Sequence, residues 1–394
     1  HRTGPRGGVA VRILSFCPRY LPVLSGGETA AHGLHRALAD AGHEVSVVTS
    51  TQGPRRRVRR ILDGVEIFHG RIRPTHARYV EERRPDVLFA QFEMSIPTLR
   101  YAVEANLPVV ILCHGPYGYT ELAEAGLAQA VDLFVFNSVF LLNAANRNVN
   151  HLIVSPPLDR ARVRAPSGLD RRFVSLVSLF VNKGPHVLYG LARTMPERQF
   201  LGVKGAYGEQ DIEVRPNVEI RDTTPDIRQI YGESRVVLMP SAEESFGLVA
   251  VEAQTNGIPV IASDLPSLRE SLGEGALFAP REDLNAWAAA LRRLDDPGFY
   301  AEMSRRAKAN AERYDVRRDA GELVTVLAAM VRRWRWRRRP NLVWLAEERA
   351  ERERRIREIF WRASRREPTY SELLALVDGA HSLRELEHVI PRRE

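Results

Sequence analysis

The 394-residue sequence predicts two doubly wound α/β domains in series, followed by a charged helical tail. Three observations predict this. Short apolar, β-branched runs alternate with helix-length segments over most of the chain. The alternation is interrupted once, near the middle, by a proline-rich stretch. After about residue 335 the apolar runs give way to arginine and glutamate. Strands alternating with helices are the pattern of βαβ units and a largely parallel sheet.

From Val9 the elements follow in order. VRILSF (11–16) reads as a buried strand and GETAAHGLHRALADAG (27–42) as a helix. VSVVT (45–49), VEIFH (65–69), DVLFAQ (86–91), PVVILC (108–113), DLFVFN (132–137) and HLIVS (151–155) come next. These runs are apolar throughout, as expected of parallel strands covered on both faces. SPPLDRARVRAPSG (155–168), with three prolines and a glycine, has the composition of a linker. The alternation resumes with FVSLVSLF (173–180), QFLGVKG (199–205), VEIR (218–221), RVVLMPS (235–241), PVIAS (259–263) and ALFA (276–279). Helices are expected around 184–194, 225–234, 245–256 and 283–294. The expected domains are therefore 9–160 and 161–335. Residues 1–8, polar and glycine-rich, read as a disordered start or tag remnant. In the tail, 336–394, a charged helix (346–366) and a short hairpin-like piece (370–390) are expected.

The net charge is +8, almost all of it from arginine; the lysines are Lys183, Lys204 and Lys308. Arg55–Arg60 and Arg332–Arg339 form clusters. Neither is accompanied by a nucleic-acid motif or an aromatic stacking series, so nucleic acid is not an expected partner. The arginine–tryptophan stretch suits either a membrane interface or a helix that crosses back onto the first domain. The charge all round the following helix favours the crossing. Any membrane-peripheral or protein contact is expected through 332–390. No apolar run approaches the ~18 residues of a transmembrane helix. Cys17 and Cys113 each end an apolar run and read as buried free thiols. These features point to a cytoplasmic setting.

The segment with most chemistry is EESFGLVAVEAQTNGIPVIASD (243–264). A strand ends in a short loop and a helix is expected to begin near Ser245–Gly247. Exposed amides at a helix N-terminus bind anions, so a diphosphate fits here, and Gly247 leaves its approach open. Glu244 sits at the mouth of the loop. Glu252 lies about seven residues further on, ~10 Å away if the stretch is helical. That separation suits two hydroxyl-bearing ends of one long ligand, a sugar and a ribose with a diphosphate between them.

This stretch resembles the donor-binding region of family 4 of the glycosyltransferases, retaining enzymes of GT-B fold, in which two Rossmann-like domains face each other across a cleft. The match is carried by Glu244, Ser245-Phe246-Gly247, Glu252-Ala253 and Gly257-Ile258-Pro259-Val260-Ile261-Ala262-Ser263. SLFVNKGPHVL (178–188) resembles the family's loop ending in Lys-Gly, which implies that Lys183 contacts the donor diphosphate. The family usually carries an arginine five or six residues earlier; here those positions hold Ser178 and Val177. LSGGETAAHGLHRALADAGHEVSVVT (24–49) resembles its N-terminal glycine loop and first helix: Gly27 is expected at the donor, Gly26 and Glu28 at the acceptor, with helix capping as the other role for Glu28. His114 follows a strand directly, where the family often has a histidine near the transferred sugar, and Ser138 is expected to line the acceptor cleft.

The resemblance implies a nucleotide-diphosphate sugar as donor and an unidentified acceptor hydroxyl. Glu244, Lys183 and His114 are the expected catalytic residues, with Ser245, Phe246, Gly247 and Glu252 at the donor. No cofactor is expected. No Asp-x-Asp metal motif lies between strands, and no His/Cys/Asp cluster has metal-ligand spacing, so metal-independent transfer is expected. The alternatives are a nucleotide-sugar isomerase or phosphorylase of the same shape, or a catalytically weak donor-binding partner protein.

Overall fold

The computed structural model describes residues 10–23, 25–50, 58–70, 76–115, 117–145, 148–334, 354–356, 358 and 359. The first sheet contains β1 (Arg12–Cys17), β2 (Glu44–Thr49), β3 (Val58–Leu62), β4 (Val65–His69), β5 (Val87–Gln91), β6 (Val109–Cys113), β7 (Leu133–Phe136) and β8 (His151–Ile153). The second contains β9 (Phe173–Val177), β10 (Gln199–Val203), β11 (Val218–Arg221), β12 (Ser234–Met239), β13 (Val260–Ser263) and β14 (Ala276–Ala279). Their orders are β3-β4-β2-β1-β5-β6-β7-β8 and β11-β10-β9-β12-β13-β14.

All pairings are parallel except β3 with β4. The second order is that of a dinucleotide-binding sheet, with its reversal between β9 and β12; the first reverses between β1 and β5. Central strands are buried along their whole length, β5 and β6 completely, because helices cover both faces. Strand β3 begins inside the Arg55–Arg60 cluster, runs on to Leu62 and was not expected. It is an exposed edge strand whose charged residues keep that edge in water, so no apolar run marks it.

The expected second domain, 161–335, also needs correction at its end. Helix Val316–Trp334 returns to the first domain: Leu323 and Leu327 are fully buried beside Ala31, Leu34 and Leu38 of helix Gly26–Asp40. The Trp334 indole donates to the Asn106 carbonyl at 2.8 Å. Apolar residues repeating at helical spacing supply the driving force, and the return to the first domain is the crossing expected of the arginine–tryptophan stretch. Cys17 and Cys113 are buried free thiols. No helix among the described residues is long and apolar enough to cross a membrane. The charged helix and hairpin expected over 346–390 lie almost wholly outside the described residues.

Candidate active site between the two domains

Two loops leave the carboxyl ends of β9 and β12, at the reversal of the second sheet. Gly184 holds them together. It has φ +77°, and a Cβ there would lie 2.2 Å from the Pro240 carbonyl oxygen, so the residue after Lys183 must be glycine for the loops to touch. The Ala242 amide donates to the Asn182 carbonyl at 2.8 Å. Arg281 donates to the carbonyls of both loops, Pro240 at 3.0 Å and Val181 at 3.4 Å. This clamp sets Lys183 beside Glu244, and the two form an ion pair. The Ser241 hydroxyl donates to the same Glu244 oxygen at 2.9 Å.

The helix after this loop spans Leu248–Thr255, with Gly247 as its N-cap at φ +82°. It starts later than the expected 245–256. Glu244 therefore precedes it in irregular chain, and the ~10 Å helical rise does not measure the separation of the two glutamates. Gly247 causes the delay: a left-handed residue breaks the helical backbone just before the first turn. Glu252 projects from mid-helix and accepts a hydrogen bond from the Tyr231 hydroxyl at 2.6 Å. Burial pushes its carboxyl up to about 7, partly opposed by that bond. The Phe246 side chain packs edge-on against Tyr314 at 5.1 Å and belongs to the core, so only its backbone faces the site.

Across the cleft, the loop after β1 leads into helix Gly26–Asp40. A Cβ on Gly26 would meet nothing within 4 Å, whereas one on Gly27 would lie 2.8 Å from Phe92 Cζ. Gly26 thus opens onto free space and Gly27 onto a neighbour. Gly26→Val should therefore melt like the wild type yet weaken binding of any ligand seated at this helix start by about tenfold or more, since a clash at a ligand costs ~1–3 kcal/mol. Paired thermal melts and titrations check this; unchanged binding would remove Gly26 from the site.

Glu28 is 2 % exposed and both its oxygens are taken, one by Arg19 Nε at 3.1 Å and the other by the Ser25 hydroxyl. The structure corrects its expected acceptor role to a local one at the helix start, where the N-cap Ser25 makes no side-chain cap hydrogen bond and spends its hydroxyl on Glu28. Ser138 is also corrected. It is buried as N-cap of the short helix Val139–Ala144 and donates to the Ser245 carbonyl at 2.9 Å, so it ties the domains together beneath the cleft. Ser245 shares that function: its hydroxyl donates to the His114 carbonyl at 2.6 Å and accepts from Asn137 at 3.1 Å. Glu270 completes the tie by accepting the Val139 and Phe140 amides at 2.8 and 2.7 Å.

His114 ends β6. Its Nε2 bonds Gln91 Oε1 at 2.9 Å, while Nδ1 is buried without a protein partner. Burial lowers its pKa to about 4, so the ring is neutral at pH 7. With Nε2–H facing the Gln91 oxygen, Nδ1 is left as an acceptor.

Two cavities meet here. One, of about 340 Å³, is lined by Leu176, Ser178, Lys204, Thr224, Tyr231 and Glu252. The other, of about 540 Å³, reaches into the first domain past Arg19, Gly27, His114, Asn137 and Ser245. Ser25, Gly26, Lys183, Tyr207, Glu244 and Leu248 line both. The first turns of two helices, one from each domain, therefore converge on a lysine–glutamate pair. Amides in a first turn have no intrahelical acceptor, so the junction suits a doubly charged anion. A further cavity of about 420 Å³ lies at the opposite, amino ends of β9, β10 and β12, away from these groups.

Residues 24–162 match the family model described as Glycosyltransferase Family 4, and residues 189–296 match the one described as Glycosyl transferases group 1. The chain belongs to glycosyltransferase family 4. This family 4 chain is 33% identical over 205 residues to a D-inositol 3-phosphate glycosyltransferase of Corynebacterium urealyticum, covering 45% of this chain and 48% of that one. A protein of the same name from Mycobacteroides abscessus is 30% identical over 220 residues, covering 50% and 49%. The chain thus spans about half the length of the curated relatives it matches. The solved structure of Anabaena HepE with UDP and glucose is similar, with a TM-score of 0.68 at 18% identity, covering 81% of this chain and 99% of that one. Sucrose-phosphate synthase from Thermosynechococcus elongatus gives 0.67 at 16%, again covering 81% and 99%. The fold of this family 4 chain is GT-B.

Several groups in the site were not singled out in the sequence: Arg19, Tyr231, Asn137, Glu270 and Arg281. Helix capping was one expected role for Glu28, but nothing local shows that Arg19 shares that carboxylate. The others act across sequence separations that carry no pattern.

Proposed function

We propose that this protein transfers a sugar, with retention and without a metal, from a nucleotide-diphosphate sugar to an acceptor hydroxyl. The observation that carries the reading is the Lys183–Glu244 pair at the junction of the two cavities. The nucleoside occupies the 340 Å³ cavity, with Glu252 on the ribose. The diphosphate lies at the junction, and the sugar and acceptor fill the 540 Å³ cavity. On binding, Lys183 moves from Glu244 to the diphosphate, which frees Glu244 for sugar hydroxyls. The acceptor oxygen bonds to the anomeric carbon on the face that the phosphate leaves. The anomeric carbon–phosphate oxygen bond breaks, and the acceptor proton passes to the departing phosphate. Lys183 and the first-turn amides stabilise the charge that develops. His114 is neutral and is not an acid at pH 7.

HepE, in a similar fold, was solved with UDP and glucose, which supports a donor of this class. Among the described residues no group of three or more His, Cys, Asp or Glu is placed to hold a metal ion.

The test combines a thermal-shift screen of UDP, GDP, ADP and their glucose conjugates with assay of nucleoside diphosphate release. Acceptors should include D-inositol 3-phosphate, after the relatives' name. Release is expected to depend on acceptor and to survive excess chelator. Loss with chelator, restored by magnesium or manganese, would overturn metal independence. Epimerised donor, or dependence on inorganic phosphate, would overturn transfer.

A further inference from the structure

The donor loop lacks a cation where the family usually places one. Position 177 is valine, and Ser178, at φ +74°, lines the nucleoside cavity with a hydroxyl. One lysine against a diphosphate leaves a charge deficit, so another cation near the junction is sought. Lys204 and Arg162 line only the nucleoside side, and both are held by carboxylates, Lys204 by Asp222 at 2.7 Å and Arg162 by Asp63.

Arg19 is placed differently. It lines the 540 Å³ cavity with Gly26, Gly27, Lys183 and Glu244. Its side chain is 56% exposed, and its bond to Glu28 uses Nε, the inner edge of the guanidinium. Glu28, at 2% exposure, is fixed in turn by Ser25, which lines both cavities. A buried carboxylate thus orients an arginine beside the junction and leaves its two terminal NH₂ groups for a ligand. That fork is the geometry that grips phosphate oxygens in pairs.

We propose that Arg19, aligned by Glu28, is the second cation on the donor diphosphate, supplied by the first domain in place of the one missing at 177–178. The inference rests on the proposed function. It makes diphosphate binding depend on both domains, and it makes Glu28 a positioning residue.

The test is calorimetric titration of wild type, Arg19→Ala, Arg19→Lys and Glu28→Gln with UDP, GDP, ADP and inorganic pyrophosphate, with thermal melts to verify folding. Arg19→Ala should weaken both the preferred nucleotide and pyrophosphate by about tenfold or more, since a charge-assisted fork to phosphate oxygens is lost. Arg19→Lys should recover part of the loss, and Glu28→Gln should lie between, because the arginine stays but its alignment goes. Inorganic phosphate is then titrated onto nucleotide-saturated protein. If Arg19→Ala spares nucleotide and pyrophosphate but abolishes phosphate uptake, the fork serves a phosphorylated acceptor and the donor assignment is overturned. Unchanged binding in every arm overturns the site altogether. Failure of the wild type to bind any nucleoside diphosphate sinks the proposed function instead, a distinct result.

Discussion

Lys183→Ala is expected to lower turnover by about 10²–10³, the loss seen when one charge-stabilising donor is removed from a developing anion. In the ligand-free protein Lys183 pairs with Glu244, a partner that also accepts from Ser241 at 2.9 Å. Removing the lysine therefore leaves Glu244 one hydrogen bond, and Lys183 itself is about one-third exposed, so the variant should fold normally. The loss should fall on kcat more than on donor KM, because charge on the leaving diphosphate grows in the transition state. Steady-state kinetics with a sugar donor checks this. Turnover within a few-fold of wild type would remove Lys183 from the chemistry.

The second large effect separates the two glutamates. Glu252 lines only the nucleoside cavity, whereas Glu244 lines both. Glu252→Ala should weaken free nucleoside diphosphate and sugar donor alike, by ~1.5–3 kcal/mol, because ribose is present in both. Glu244→Ala should bind free nucleotide nearly as well as wild type and lose activity, because the free nucleotide has no sugar. Equal loss of free nucleotide in both variants would mean that the donor lies otherwise.

The Glu252 carboxyl adds a pH signature. Its pKa rises from 4.5 to about 7, so the ionised form that best accepts ribose hydroxyls exists above about pH 7. Nucleotide affinity should fall as pH drops through that value. Glu252→Gln should lack this component, which separates it from titration of the diphosphate itself. Stability runs the other way: between pH 4.5 and about 7 the folded state holds a proton that the unfolded chain has lost, so stability falls as pH rises. Glu252→Gln should accordingly melt higher than wild type at pH 8, because it avoids burying a charge.

Much of the candidate site was legible because it lies at the ends of strongly patterned elements. Lys-Gly after β9, Glu-x-x-x after β12 and Gly-Gly after β1 all follow apolar runs that could be read directly. The structure adds why some of those residues are fixed. Gly184 is required by a carbonyl 2.2 Å from where its Cβ would be, and that carbonyl belongs to Pro240, far along the chain. Other residues changed role. Ser138, Ser245 and Glu28 spend their polar atoms on internal bonds, and a short polar side chain near a loop looks the same whether it meets a ligand or a neighbouring backbone.

By itself the sequence determined the two-sheet α/β architecture and the motif that places the chain in its family. Periodicity, β-branching and proline are local properties, and they act on the backbone within a few residues. The tertiary structure decided the rest: that β3 forms an arginine-rich edge, that Leu323 and Leu327 of helix Val316–Trp334 seat against helix Gly26–Asp40, that the domains are tied through Glu270 and Ser245, and that Arg19 shares a carboxylate with Ser25 beside the junction. These depend on which surfaces meet after folding. Contact between distant segments is fixed by packing and charge complementarity in three dimensions, and it leaves no period in the chain.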